Sequence, residues 1–323
     1  MEIQFGNVSG VVVVFWNLIA HFQAHFRLEG QRPLVAYRVL SDFLSLHLFT
    51  GPKPANVMEQ LTTFLGRMPR TPSKLALGYT LCRQTKNSDY ARFQADLSEM
   101  KLKDIPFDAD YISQALLATA FQPSQPIETG GNFEMSYQLL KQNGKKFFLA
   151  QPPHVDINLP NLGQGSFIKD HQDNSTQDPV NYQAKFNGVP VYLPDFANPT
   201  MTDWWSQQLE NLLSNSLKQR SDGFILIHNS PRLENASRCD FTDKLAFAPS
   251  SNTLANGQEQ SYLSNQTICP VAMHYTSPDA KRKHIKMHND FGTSHAKSMT
   301  PNLVVFSHSS APGISGVGGV FAG

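Results

Sequence analysis

Short apolar runs alternate with amphipathic stretches along most of this chain, and that alternation restricts its fold more than any other feature. Phe147-Phe148-Leu149 lies in a run over residues 145–150, and Phe224-Ile225-Leu226-Ile227 fills another over 223–228. Runs that are apolar on both faces suit strands of a parallel sheet covered on both sides. Helical stretches separate them. Residues 90–102 place Phe93, Leu97 and Met100 on one stripe, and residues 137–142 belong to a helix that ends at Gly144. Residues 201–219 turn Leu209, Leu212, Leu213 and Leu217 to one face, with Thr202 as N-cap and Asp203 in the first turn. Further strands fall at 75–82, 104–108, 189–193 and 302–306, the last after a weakly helical stretch. Such alternation predicts a parallel α/β fold, either a barrel or a doubly wound sheet.

The first fifty residues differ. Residues 11–16 form a continuous apolar run, 34–39 are rich in β-formers, and 43–49 bring in Phe43, Leu44, Leu46 and Leu48, so all three read as strands. Gly51-Pro52-Lys53-Pro54 breaks the pattern, and a helix follows with Pro54 near its start and Val57, Leu61, Phe64 and Leu65 at helical spacing. Residues 232–270 are polar and irregular, a long loop for a compact domain.

Charge and cysteine content exclude several classes. Lys+Arg 27 against Asp+Glu 26 leaves +1, which gives no electrostatic case for nucleic acid or an anionic membrane. The apolar run near the start is too short to span a bilayer, and His21, Gln23 and His25 follow it. Glu2 and Asn7 precede it where a signal peptide carries basic residues, so it reads as a buried strand. Cys82, Cys239 and Cys269 are too few for a disulfide framework. Sequons at Asn7, Asn174, Asn235 and Asn265 are glycosylation candidates. His284 and His288 stand four apart, but no acidic or cysteine ligand is arranged with them, and Lys281, Arg282, Lys283 and Lys286 crowd the segment. A solvated basic helix is expected there, with no metal site. No cofactor is called for.

Several segments, in order, resemble known motifs. Leu48-Phe49-Thr50-Gly51-Pro52-Lys53-Pro54 is similar to FLGPTP, and Leu77-Gly78-Tyr79-Thr80-Leu81-Cys82-Arg83 to LGFQLCR. Ile105-Pro106-Phe107-Asp108 resembles IPYD. Pro194-Asp195-Phe196-Ala197-Asn198-Pro199 with Asp203-Trp204-Trp205 resembles FPDFTNP…WW. Asp222-Gly223-Phe224, followed by Asn229, falls where DGLWIDMNEP is expected, and residues 302–316 where RPFVLSRSTFAGSG is expected. These are motifs of glycoside hydrolase family 31, in particular its lysosomal and intestinal α-glucosidase branch, and the resemblance runs over residues 8–323.

The resemblance implies a (β/α)8 barrel with its site at the C-terminal ends of the strands. It also implies a retaining mechanism, in which one carboxylate attacks the anomeric carbon and a second protonates the leaving oxygen. In this chain Ile227 holds the nucleophile position, and Ile227 has neither a lone pair nor a charge. His228, Asn229 and Ser230 follow it, and the acid/base position falls at or just beyond Gly323. The Trp after LCR is Gln84, the Asp of the third strand end falls at or next to Pro152, and the Arg of SRSTF is His308. Asp108-Ala109-Asp110-Tyr111 runs straight through a stretch that carries a sugar-binding Asp in the family. The expectation is no catalytic residue and a residual pocket of Gln84, Asp110, His228, Asn229 and His308. The resemblance also implies a disulfide between Cys239 and Cys269, leaving Cys82 as a buried free thiol.

The expected architecture is therefore an incomplete TIM-type barrel over residues 51–323, with about five strands, preceded by a β-sandwich remnant over 1–50. With its edge open, the chain either folds as a partial barrel, or has a protein partner that covers the edge, or is poorly stable. The expected function is that of a non-catalytic α-glucosidase-like protein. The alternatives are a module binding an α-glucan, an oligosaccharide or a protein, and a weak α-glucosidase. Disulfide and sequons point to the secretory pathway, the missing signal peptide to the cytoplasm, and the two stay in conflict.

Overall fold

The computed structural model describes residues 11–16, 22–29, 32–39, 46–66, 74–83, 90–112, 119–122, 131–170, 179–217, 219–234, 266–277, 280–299, 303–311 and 314–320. At the N-terminal end β1 (Val11–Trp16) pairs antiparallel with β4 (Leu46–Gly51), and β2 (Phe22–Glu29) with β3 (Arg32–Val39). Helix α1 (Pro54–Leu65) follows, with proline in its first turn as expected, and brings Phe64 against the rings of His47 and Phe49.

The centre is a six-stranded parallel sheet in the order β15-β14-β11-β7-β6-β5. Its strands are β5 (Thr80–Arg83), β6 (Ala109–Ile112), β7 (Lys146–Gln151), β11 (Gly223–Leu226), β14 (Val304–Ser307) and β15 (Gly319–Val320). Spatial order follows chain order, as in a (β/α) barrel, and the sheet curls into half of one. The sixth strand, two residues long, exceeds the five expected. Helices α2 (Tyr90–Leu102) and α3 (Gly131–Gln142) make the first two crossovers. Helix α4 (Pro199–Asn211), extended by a π-turn over Leu212–Ser216, and α5 (Phe291–Lys297) serve the later ones.

Two antiparallel units interrupt this frame. After β7 come β8 (Val155–Asp156), β9 (Gln183–Phe186) and β10 (Val189–Tyr192), in the order β8-β10-β9. Asn187 and Gly188, both at positive φ, join β9 to β10, a turn whose twist matches its flanking strands. Before α5 a hairpin pairs β12 (Met273–Ser277) with β13 (Ala280–Lys283), where the sequence suggested weak helix. The basic segment is therefore not a solvated helix: its cations line an exposed strand, and His284 and Ile285 behind them are buried. The N-cap of α4 is Asn198, whose side chain accepts from Thr200 N, with Pro199 at N1; Thr202 lies inside the helix.

Strand alternation divides the apolar residues between two cores. Phe147, Leu149, Phe224, Leu226 and Val305 face the helices together with Trp204, Trp205 and Leu209. Ala109, Tyr111, Phe148, Ala150, Ile225 and Ile227 form the inner cluster, with Val304 and Phe306 against it. Gly223 is where the two central strands close up, since a Cβ there would run into the Phe148 ring and the Val304 carbonyl. Gly223→Ala is expected to lower stability by about 1–3 kcal/mol through overpacking, read as a drop in the urea midpoint with an unchanged slope.

Candidate functional site

The C-terminal ends of β7, β11 and β14 lie side by side. β7 ends in Gln151, followed by Pro152, Pro153 and His154; β11 is followed by Ile227, His228 and Asn229; β14 ends in Ser307, followed by His308 and Ser309. The backbone carries the register past the strands, with Ile227 N donating to Gln151 O at 3.1 Å and His308 N to Leu226 O at 3.0 Å. Ile227 continues the alternation of β11, so its side chain joins Ile225 and Phe148 inside the sheet and is 2% exposed.

At His228 the chain turns away from the strand with φ +53, a left-handed conformation uncommon for a side-chain-bearing residue. The turn points Asn229 at the neighbouring strand end. Asn229 Nδ2 donates to Ser307 Oγ at 2.7 Å, and Ser309 N donates to Asn229 Oδ1 at 3.0 Å. Asn229 is fully buried, so these bonds brace one strand end against the other.

Three imidazoles belong to this end. His154 is buried, stacks on Phe186 at 3.8 Å and lies with Nε2 2.6 Å from Arg232 O, so Nε2 carries the proton. Burial is the main force pushing its pKa down to about 3; the Arg232 carbonyl opposes the shift and His228 adds to it. The pKa of His228 falls to about 4 through burial first, then the charge of Arg232 and the neighbouring His308. Burial also lowers that of His308. The residues ending β7, β11 and β14 thus offer neutral imidazoles, amides and hydroxyls, and no carboxylate among those described.

The residues expected at a residual pocket are placed as follows. His228, Asn229 and His308 come together, while Gln84 lies outside the described residues, as do Cys239, Asn7, Asn174, Asn235, Asn265 and Gly323. Asp110 is a correction. It stands in register with Leu81 and Phe147, while its neighbours Ala109 and Tyr111 take the inner face, so its buried side chain belongs to the helix side of the sheet. Cys269 is disulfide-bonded, and its N donates to Tyr182 Oη at 3.3 Å. His154 and Arg232 were not expected at this end. The signal for His154 was its place three residues beyond an apolar strand.

On the helix side, His295 is buried with neither ring nitrogen hydrogen-bonded, stacked on Phe196 at 4.6 Å. Burial, with a smaller contribution from His154, lowers its pKa from 6.5 to about 3. The unfolded chain therefore binds more protons between those values, so stability is complete above pH 6.5 and falls as pH drops towards 3. At pH 5 the loss is about 2 kcal/mol for this group. His295→Phe is expected to remove about that much of the acid destabilisation between pH 7.5 and pH 5, measured by urea unfolding at the two pH values.

The comparisons with known proteins agree with this architecture. The chain matches the sequence model of the glycosyl hydrolases family 31 TIM-barrel domain over residues 69–323. It is 24% identical over 313 residues to a probable maltase-glucoamylase 2 of Homo sapiens, covering 82% of this chain and 12% of that protein. It is 23% identical over 286 residues to the lysosomal α-glucosidase of Bos taurus, covering 84% and 28%. A crystal structure of a glucosidase II α subunit superposes with a TM-score of 0.66 at 14% identity, over 96% of this chain and 33% of that one. The chain thus spans well under half the length of each of these relatives, and it belongs to glycosyl hydrolase family 31.

Proposed function

We propose that this is a non-catalytic α-glucosidase-like protein: it keeps the barrel scaffold of its family and does not cleave glycosidic bonds. One observation carries the reading. At the end of β11, where the family resemblance puts the attacking carboxylate, Ile227 is packed into the inner apolar cluster. An alkyl side chain can neither form a glycosyl intermediate nor stabilise an oxocarbenium ion. The imidazoles beside it do not take over the role. They can exchange protons, but no carboxylate at the described strand ends orients them or attacks in their place. Residues 1–50 fit a remnant of the β-sandwich that precedes the barrel, and a disulfide between Cys269 and Cys239 would tie down the loop after β11.

Removing one member of a cooperating catalytic set typically costs about 10⁴–10⁶-fold in rate. Turnover of maltose or a nitrophenyl α-glucoside is therefore expected to be indistinguishable from a heat-denatured control, and saturable hydrolysis by purified protein would overturn the reading. Millimolar maltose or an iminosugar is expected to leave the unfolding temperature within about 1 °C. A rise of several degrees would replace the proposal with a carbohydrate-binding module. Ile227→Asp is expected to restore no activity and to cost about 4 kcal/mol or more, because it puts an unpaired carboxylate among Ile225, Phe148 and their neighbours. Unfolding as stable as that of the parent would mean the inner face is wet and the apolar packing argument is wrong.

A further inference from the structure

Away from the strand ends, four side chains form a continuous hydrogen-bonded row. Asp195 Oδ1 lies 2.8 Å from His274 Nδ1, His274 Nε2 lies 2.9 Å from His284 Nδ1, and His284 Nε2 lies 2.9 Å from His288 Nδ1. Asp195, His274 and His284 are buried, and His288 is half-buried. The row joins the turn before α4 to a segment distant in sequence, the hairpin β12–β13 and the turns that follow it towards α5.

The direction of the row follows from its buried end. Asp195 Oδ2 accepts from Tyr275 N at 2.6 Å, and Oδ1 also lies 3.3 Å from Ala197 N, so the carboxylate acts purely as an acceptor. His274 must then present Nδ1–H to it, and in the neutral ring this leaves Nε2 as a lone pair for His284 Nδ1–H. The same step recurs from His284 to His288. We propose that Asp195, His274, His284 and His288 form a directional proton relay whose buried end is the carboxylate and whose entry is His288.

One proton arriving at His288 Nε2 makes that ring an imidazolium. Its Nδ1 proton passes to His284 Nε2, and the Nδ1 proton of His284 passes to His274 Nε2. The row then ends with His288 and His284 neutral as Nε2–H tautomers and His274 cationic against the Asp195 carboxylate. One proton enters, two hydrogen bonds reverse their polarity, and no other group changes.

The surroundings favour that end point. The charged groups on the packed elements are mostly cations: Lys281, Arg282 and Lys283 on β13, with Arg282 opposite His274 in register; Lys286 between His284 and His288; and Lys169, whose backbone bonds to Met273. Asp290 accepts from Ser294 at the head of α5, where His295 is also buried. Of these groups Asp195 is the fully buried anion. The same carboxylate anchors the hairpin, with Asn198 Nδ2 donating to Tyr275 O at 2.7 Å, so the relay makes that anchor proton-dependent.

Nitrogen NMR of the full chain with ¹⁵N-labelled histidine tests this directly. At neutral pH His274, His284 and His288 are expected to be Nδ1–H tautomers, with couplings across both nitrogen–nitrogen hydrogen bonds. On acidification the three rings are expected to shift with one shared midpoint. Nε2–H tautomers at neutral pH, or three unrelated midpoints, would overturn the proposal from the parent protein alone. Asp195→Asn is expected to abolish the common tautomer and split the midpoint. His288→Gln, at the half-exposed end, is expected to remove the shared response from His274 while the fold persists. A His274 titration unchanged in His288→Gln would likewise reject the relay.

Discussion

The pairing of β11 with β7 on one side and β14 on the other is the constraint that the rest of the structure depends on. A strand with neighbours on both sides has no edge to solvate, and both its faces must be covered. Phe224 and Leu226 are therefore spent on the helices, and Ile225 and Ile227 on the inner cluster. The foot of β11 is clamped as well. Asp222 accepts from Phe147 N, Lys146 and Lys141. Burial works against its charge, yet these bonds hold its pKa below the ordinary carboxylate value.

This geometry gives Ile227, at the position where the family resemblance puts a carboxylate, a packing role of its own. In a barrel enzyme the inner-facing residue at a strand end borders the ligand, and a charge there is held by polar neighbours. Here the same place is one further layer of hydrocarbon, continuous with Phe148 and Ile225. Several polar groups there bond within the protein: Asn229 engages Ser307 and Ser309, and His154 engages the Arg232 carbonyl. Packing and hydrogen bonds consolidate these strand ends as structure, which is the physical support for the proposal of a non-catalytic scaffold.

The central strands and α2 were legible in the sequence because burial on both faces writes an unbroken apolar run and amphipathic helices write a stripe. β6 was expected at 104–108 and starts at Ala109, because the buried residues after Phe107 include the polar Asp110. The face of Asp110 could not be read from motif likeness, since a shift of one residue moves a side chain to the other side of a sheet. One omission and one error had visible signals: Asn187-Gly188 announces a tight hairpin, and Asn198-Pro199 is a helix start. The basic segment was illegible for a deeper reason. Lys281, Arg282 and Lys283 dominate its composition, whereas buried His284 is bonded through His274 to Asp195, which lies 89 positions earlier (284 − 195).

The buried histidines divide by what their ring nitrogens face, and that division explains why one side-chain type serves two purposes in this fold. His295 faces aromatic carbon with both nitrogens unbonded, and His154 has one nitrogen on a carbonyl and the other unbonded. Neither has an anion to receive a proton, so each is held neutral and works as a flat apolar ring against phenylalanine. In the row that begins at Asp195, both nitrogens of His274 and of His284 are engaged, and a carboxylate stands at the far end. Under the proposed relay a proton entering the row is met by the Asp195 carboxylate, whereas burial is the first force against one on His154 or His295.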